Sequence, residues 1–361
     1  MPKVIGIDPG TRSYGIIGLE NGNIILDTIL KTKSIIEKPE MVIDVLKKIE
    51  PIDLIVAPSG LGLPLTRIQD LSDEMIFEMT LETKLSGKLT AVSKIASLMK
   101  QNNYFGYFIP GVKHLPTVPK YRKINKIDLG TADKVCSAAL AIYDQSIHKK
   151  IPYDQTNFIL IEMGSGFNAV LAIEDGQIID GIGGTYIQGP GFLSSGALDG
   201  EIAYLMKEFN KRELYQGGVA YIMGYPDISP EEFISQINKD KITKLAYESF
   251  LEGILKSVGA IQISLNEPKE ILLSGSLSKY DVIVSDLTAK MKKNAPVRKV
   301  EGLKNARFSK HAAQGAAIIA DGLCEEGIFK ELVNVMKIKE SEGSVLDNIY
   351  ISKFRELYEN K

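Results

Sequence analysis

Gly6-Ile7-Asp8-Pro9-Gly10-Thr11-Arg12-Ser13-Tyr14-Gly15 is the stretch whose reading decides the fold of this chain. A strand-like run, Val4 to Asp8, leads into it, Pro9-Gly10 supplies turn chemistry, and a second run, Tyr14 to Leu19, leads out. A third run, Asn23 to Ile29, follows Asn21-Gly22, so the chain opens as an antiparallel meander. Within the first turn, Gly10 lets the backbone approach a phosphate, Thr11 and Ser13 offer hydroxyl donors, and Arg12 offers a charge-assisted one. Asp8, closing the first strand, suits a magnesium ion or its water shell. An ordinary Pro-Gly hairpin has the same residues, so the assignment depends on what the rest of the chain repeats.

Moving outward, the spacing predicts a helix over Glu40 to Glu50, a buried strand over Asp53 to Val56, and a helix over Thr90 to Lys100. A short strand near Tyr107 to Ile109 and a helix over Thr131 to Ile147 follow. After the polar linker Lys149 to Thr156 the order starts again, with strands over Asn157 to Glu162, Asn168 to Ile173 and Gln177 to Gly181. Helices over Leu198 to Lys211 and Lys241 to Leu265 come next, then a strand over Glu270 to Leu273, a helix near Tyr280 to Lys292, a strand near Val297 to Val300 and a helix over Lys310 to Leu323. The expected class is α/β with a duplicated fold, and the expected domains are residues 1–150 and 151–361. Each is expected to hold a mixed five-stranded sheet flanked by helices. The second carries an insertion over about 183–245, opening with a Gly- and Ser-rich loop of the length that tends to be functional. The charged stretch 338–361 reads as an amphipathic helical tail packed on the second half.

Two further motifs support the first. In Glu162-Met163-Gly164-Ser165-Gly166-Phe167-Asn168 a carboxylate again ends a strand, and a glycine turn with a hydroxyl again precedes the next strand. Two such turns at matching places in two repeats are expected to face each other across a cleft that holds a nucleotide. In Ile271-Leu272-Leu273-Ser274-Gly275-Ser276-Leu277-Ser278 an apolar strand runs into a small-residue turn against which a purine and its ribose can lie.

Composition narrows the partners. The 361 residues are 44% hydrophobic and 24% charged with a net charge of −2, which leaves no electrostatic footprint for nucleic acid or a membrane surface and favours a small-molecule partner. A second copy of the chain stays open as a partner. Cys136 and Cys324 lie far apart in helical segments and signal neither a disulfide framework nor a metal cluster. His114, His148 and His311 form no spaced ligand pair. Met1-Pro2-Lys3 leads directly into a strand and no apolar run reaches the length of a membrane span, so the expected location is the cytoplasm.

These three motifs, in this order, resemble the superfamily of acetate and sugar kinases, heat-shock chaperone ATPases and actin. The resemblance implies an actin-like (ribonuclease H-like) fold and binding of ATP with Mg2+. It makes Asp8, Gly10, Thr11, Arg12 and Ser13 the first phosphate motif, Gly164, Ser165, Gly166 and Asn168 the second, and Ser274, Gly275 and Ser276 the adenosine motif. Asp8 and Glu162 become the metal residues, although Glu162 stands where Asp is common. The helices Thr131 to Ile147 and His311 to Leu323 look like the superfamily's two small-residue connecting helices. More narrowly, Ala57-Pro58-Ser59-Gly60-Leu61-Gly62-Leu63-Pro64-Leu65, Asp128-Leu129-Gly130-Thr131-Ala132-Asp133-Lys134 and Pro190-Gly191-Phe192-Leu193-Ser194-Ser195-Gly196-Ala197-Leu198-Asp199-Gly200 look like an archaeal family catalogued as predicted butyrate kinases.

For a carboxylate acceptor no base is needed, so arginines are the residues of interest: Arg67, in the region where carboxylate kinases place a substrate-binding arginine, and Arg12 in the hairpin. Ser59, Gly60, Gly184, Thr185 and Gly191 are expected beside the acceptor. For an alcohol or sugar acceptor a base is required, and Asp133 at a helix start is the candidate. Two other readings stay open. The first motif also resembles the start of Holliday-junction resolvases, which hold two magnesium ions on clustered carboxylates, but Gln314 stands where an acid is wanted. A nucleotide-driven switch that transfers nothing to a small acceptor keeps the ATP site and drops the chemistry.

Overall fold

A computed structural model of the protein describes residues 2–82 and 91–358. The opening meander forms β1 (Lys3–Pro9), β2 (Ser13–Glu20) and β3 (Asn23–Lys31), joined by β4 (Leu54–Val56), β5 (Thr66–Arg67) and β6 (Gly106–Phe108) in the order β3-β2-β1-β4-β6-β5. The second sheet contains β7 (Phe158–Met163), β8 (Asn168–Glu174), β9 (Gln177–Ile182), β10 (Ile271–Ser274) and β11 (Val297–Lys299), in the order β11-β10-β7-β8-β9. β1 and β7 are antiparallel to β2 and β8, and parallel to β4 and β10. Read outward from its central strand, each sheet therefore repeats one plan, and the duplication is visible in topology. The first sheet adds β5, a two-residue edge strand that alternation cannot reveal at such length.

Burial explains why the central strands read as continuous apolar runs. Both faces of β1 and β7 are covered, so Val4, Ile5, Phe158, Ile159, Leu160 and Ile161 are all fully buried. β3, on the sheet edge, keeps a mixed pattern of exposed and half-buried positions.

The chain divides into two compact units: Met1–Thr156, Asp175–Ile179 and Glu301–Lys361 form one, and Asn157–Glu174 with Asp180–Val300 the other. In the first unit, helix His311–Leu323 lies on β1 and crosses helix Ala132–Lys149. Both approaches rely on small residues. A Cβ on Gly6 would sit 2.2 Å from the Ala317 amide nitrogen, and one on Gly315 would sit 1.7 Å from the Cys136 carbonyl oxygen.

The helix expected from Thr90 runs over Ala91–Gln101, Thr90 itself lying outside the described residues. The segment Leu198 to Lys211 is shorter than its pattern implied: helix Gly200–Met206 stops at Lys207, whose φ of 58° is not helical.

The charged tail differs from expectation in two respects. It is an irregular strap with a 3-10 turn at Ile338–Glu340 and a short helix at Ser352–Tyr358, because Lys337, Gly343 and Asn348 all adopt positive φ. It also packs on the first unit: the Lys113 ammonium donates to the Val345 carbonyl at 2.6 Å, the Ser341 hydroxyl accepts from the Leu65 amide at 2.9 Å, and Asn125 accepts from the Tyr350 amide at 2.7 Å. Residues 359–361 lie outside the described residues. Among the described residues no helix is long and apolar enough to cross a membrane.

Candidate functional site

The two glycine hairpins share one construction. The Gly10 amide donates to the Ser13 carbonyl at 3.1 Å, and the Gly164 amide donates to the Phe167 carbonyl at 2.9 Å. Two residues before each glycine stands a buried carboxylate ending the central strand, Asp8 opposite Gly15 and Glu162 opposite Ala169. Sequence identity does not show this equivalence; turn geometry and register do.

In the first unit, Asp8 is 4% exposed and its Oδ2 lies 2.7 Å from the Lys310 ammonium. Its Oδ1 is buried and accepts no hydrogen bond among the described residues. Lys310 precedes helix His311–Leu323 and overhangs the turn so closely that a Cβ on Gly10 would meet its Nζ at 2.0 Å. The approach to Lys310 is pinned by Asp27 of β3, whose carboxylate accepts from the amides of Arg307, Phe308 and Ser309 at 2.6, 3.0 and 2.7 Å. Burial pushes the Asp27 carboxyl up, but those three amides outweigh it and hold the group below its ordinary range.

A second pair lies within electrostatic reach. Asp133, in the first turn of helix Ala132–Lys149, meets the Lys134 ammonium at 2.6 Å and accepts from the Thr131 hydroxyl. Burial alone would raise its pKa; Lys134, the two hydrogen bonds and Lys310 together lower it, so Asp133 is ionised. Burial and the Asp133 and Asp8 charges push the neighbouring Cys136 thiol well above its ordinary value, leaving it inert. Ser59 and Gly60 border this group: the Gly60 carbonyl accepts from the Ala132 amide at 3.1 Å. The Ser59 hydroxyl is committed to the Ala57 carbonyl and the Ile109 amide. Thr11 is exposed, Arg12 and Ser13 are half-buried, and Arg67 is exposed on β5, separated from β1 by β4 and β6.

In the second unit, the turn after β10 rests on the end of β7. Ser274 pairs with Glu162 in parallel register, and Gly275, at φ 88°, is so close that a Cβ would fall 2.4 Å from the Met163 carbonyl oxygen and 2.6 Å from Glu162 Oε1. Here only glycine fits, and the two motifs meet. The insertion loop folds over the same hairpin: the Leu193 and Ser194 amides donate to the Gly166 carbonyl at 3.1 and 3.2 Å. Gly184 packs on the Phe167 side chain and Gly191 beside Ser194, while Ser165 and Thr185 are half-buried. Asn168 Oδ1, Ser194 Oγ and Ser276 Oγ are buried without a hydrogen-bond partner among the described residues. Beyond the adenosine-like turn, the Lys279 ammonium donates to Glu231 at 2.8 Å, and Lys279 together with the nearby Tyr280 pushes the Glu231 carboxyl down to about 2.

Among the described residues no three His, Cys, Asp or Glu side chains gather as a metal cluster. Three residues beside the candidate motifs carry little signal in the linear sequence: Lys310, Lys134 and Ser194. Their only linear signals are a lysine directly before a small-residue helix, a lysine directly after Asp133, and a serine in a glycine-rich loop.

A family described as "Protein of unknown function (DUF1464)" matches residues 6–351. The chain belongs to this family. Among curated proteins, none matches this DUF1464 chain. Solved structures do. A propionate kinase from Francisella tularensis subsp. tularensis superposes with a TM-score of 0.62 at 16% identity, over 88% of the DUF1464 chain and 98% of the other. An acetate kinase from Entamoeba histolytica gives 0.60 at 14% identity, over 81% and 86%. A ROK family glucokinase from Streptomyces griseus, in complex with glucose and AMPPNP, gives 0.50 at 12% identity, over 88% and 99%. At such identities the likeness establishes the fold: the DUF1464 chain has the actin-like ATPase fold, with two mixed sheets flanked by helices.

Proposed function

We propose that the protein is an ATP-dependent phosphotransferase acting on a small molecule, and that its acceptor is a short-chain carboxylate of butyrate-like size, which becomes an acyl phosphate. The observation that carries the reading is the repeated hairpin, with a glycine amide closing the turn and a buried carboxylate two residues earlier, at the end of the central strand of both sheets. Structures of this fold include proteins named as acetate, propionate and glucose kinases, one holding AMPPNP.

Asp8 and Glu162 are the residues that would hold magnesium with the phosphates. The unpartnered, buried Oδ1 of Asp8 fits a hard cation, which takes one or two carboxylates alongside substrate phosphate oxygens. Bound there, magnesium supplies charge neutralisation. Gly164, Ser165, Gly166 and Asn168 would hold phosphate oxygens in the second unit as Gly10, Thr11, Arg12 and Ser13 do in the first, and Ser274, Gly275 and Ser276 would carry the adenosine. An acceptor carboxylate oxygen attacks the γ-phosphorus, the bond from phosphorus to the β–γ bridging oxygen breaks, and ADP leaves with that electron pair. No proton moves, so positioning and positive charge do the catalysis. Arg67 and Arg12 are the cations offered to the acceptor and the transferring group, with Ser59, Gly60, Gly184, Thr185 and Gly191 beside the acceptor.

The state of Asp133 favours a carboxylate over a hydroxyl acceptor. A general base works best with a pKa near the working pH, and Lys134 holds Asp133 well below that. Its ionised form still meets the minimum requirement for a base, which keeps alcohols and sugars in the test. A nuclease reading is disfavoured because the buried Gln314 side chain is spent on the Leu303 amide and the Ser309 carbonyl, and no carboxylate cluster gathers among the described residues.

The test is ATP-dependent ADP release screened over straight-chain acids from acetate to hexanoate and over simple alcohols, with ATP binding measured in parallel. The expected result is turnover with a short acid, retained in Asp133→Asn. Turnover with alcohols alone, lost in that variant, would move the acceptor to the hydroxyl class. ATP binding without transfer to any acceptor would make the protein a switch, and Asp8-dependent cleavage of branched DNA would make it a nuclease.

A further inference from the structure

Lys310 takes no part in the chemistry described so far, and its surroundings assign it one. Its ammonium is on the Gly10 face of the first hairpin, 2.7 Å from Asp8 Oδ2, and any side chain at position 10 would collide with it. Three features hold it there. Helix His311–Leu323 lies directly on β1, with Gly6 against Ala313, Ala316 and Ala317, so the residue before the helix projects over the turn. The Asp27 carboxylate fixes the amides of residues 307 to 309 immediately upstream. Asp8 then holds the ammonium itself.

The pairing leaves the cation more open to solvent than the carboxylate. Asp8 is 4% exposed, whereas the Lys310 side chain keeps 24% of its surface open. Asp8 uses only one oxygen on Lys310, and the ammonium has two further donors for an incoming oxyanion. Asp133 is already matched by Lys134, so Lys310 is not needed to neutralise it.

We propose that Lys310 is the terminal-phosphate ligand of the first hairpin: its ammonium, resting on Asp8, turns to the γ-phosphate of bound ATP and stabilises the charge there during transfer. The inference rests on the proposed ATP site and adds a catalytic residue to it. A charge-assisted hydrogen bond to the terminal phosphate corresponds to roughly a 10- to 100-fold effect on affinity. A residue that only braces the fold would weaken ATP and ADP alike.

The experiment is calorimetric titration of wild type, Lys310→Met and Lys310→Arg with ATP and with ADP in the presence of Mg2+, with melting temperature as the check on folding. The expected result is a loss of about 10-fold or more in ATP affinity for Lys310→Met, less than about 3-fold for ADP, and recovery of most ATP affinity in Lys310→Arg. Equal losses for ATP and ADP, or no loss for either in a folded variant, would overturn the role of Lys310 while leaving the ATP site standing. If Lys310→Met does not fold, Lys310→Arg and Lys310→Gln decide by the same ATP-to-ADP ratio. Absence of ATP binding by the wild type would overturn the site and the inference together.

Discussion

Replacing Gly6 by Ala tests the packing that places Lys310 over the hairpin. The added Cβ would stand 2.2 Å from the Ala317 nitrogen, 2.5 Å from the Ala313 carbonyl oxygen and 2.7 Å from the Ala316 carbonyl carbon. All three atoms are backbone, so no side chain can swing aside. Relief requires helix His311–Leu323 to retreat from β1 by about 1 Å, a gap that forfeits a substantial part of the dispersion contact along the seam. Ala313, Ala316 and Ala317 are fully buried there. Overpacking of a well-packed core costs about 1–3 kcal/mol and more when backbone must move, so a loss of about 3 kcal/mol is expected. Gly259 provides the control. It lies inside helix Lys241–Ile261, where an added Cβ would meet nothing within 4 Å, so Gly259→Ala should stabilise by up to about 1 kcal/mol. Differential scanning calorimetry reads both. A Gly6→Ala protein melting within about a degree of wild type would refute the close approach of helix to strand. So would equal destabilisation by the two substitutions.

Three further outcomes follow from individual contacts. In a double-mutant cycle of Asp8→Asn and Lys310→Met read by urea unfolding, a coupling of about 2 kcal/mol is expected, below the range for fully buried pairs because Lys310 is partly exposed; additivity would contradict the ion pair. Burial pushes His114 down to about 4 from 6.5, so the unfolded chain takes up the proton first and stability falls as pH drops from 6.5 toward 4. That loss is on the order of 3 kcal/mol and should shrink in His114→Gln; an unchanged acid limb in that variant would show the imidazole to be uninvolved. Gly275→Ala, forced against Met163 and Glu162 at positive φ, should lower both the melting temperature and ATP affinity, and wild-type affinity in that variant would remove the turn from the adenosine site.

Much of this architecture is legible in the sequence, because central strands buried on both faces leave unmistakable apolar runs, as at Phe158–Met163, and because Pro9-Gly10 and Gly164-Ser165-Gly166 punctuate them. β5 and the tail were less legible. Two residues cannot show a period, and the tail's conformation is set by long-range partners such as Lys113 and Leu65. At the candidate site, the turn placement of Asp8 and Gly10 is legible because a turn imposes its residue types locally. That of Lys310 is not, since its neighbour Asp8 is some three hundred residues away in sequence and reaches it only through the stacking of a helix on β1. Asp133 was readable as a helix-start carboxylate, but its ionisation is governed by Lys134, whose part no linear pattern announces.

The most direct test of the account is phosphorus-31 NMR of the protein with ATP, Mg2+ and butyrate, followed by hydroxylamine. ATP should convert to ADP with a new acyl-phosphate resonance, hydroxylamine should turn this product into a hydroxamate, and Asp8→Asn should abolish both. ATP left unconsumed with every acid from acetate to hexanoate would contradict it.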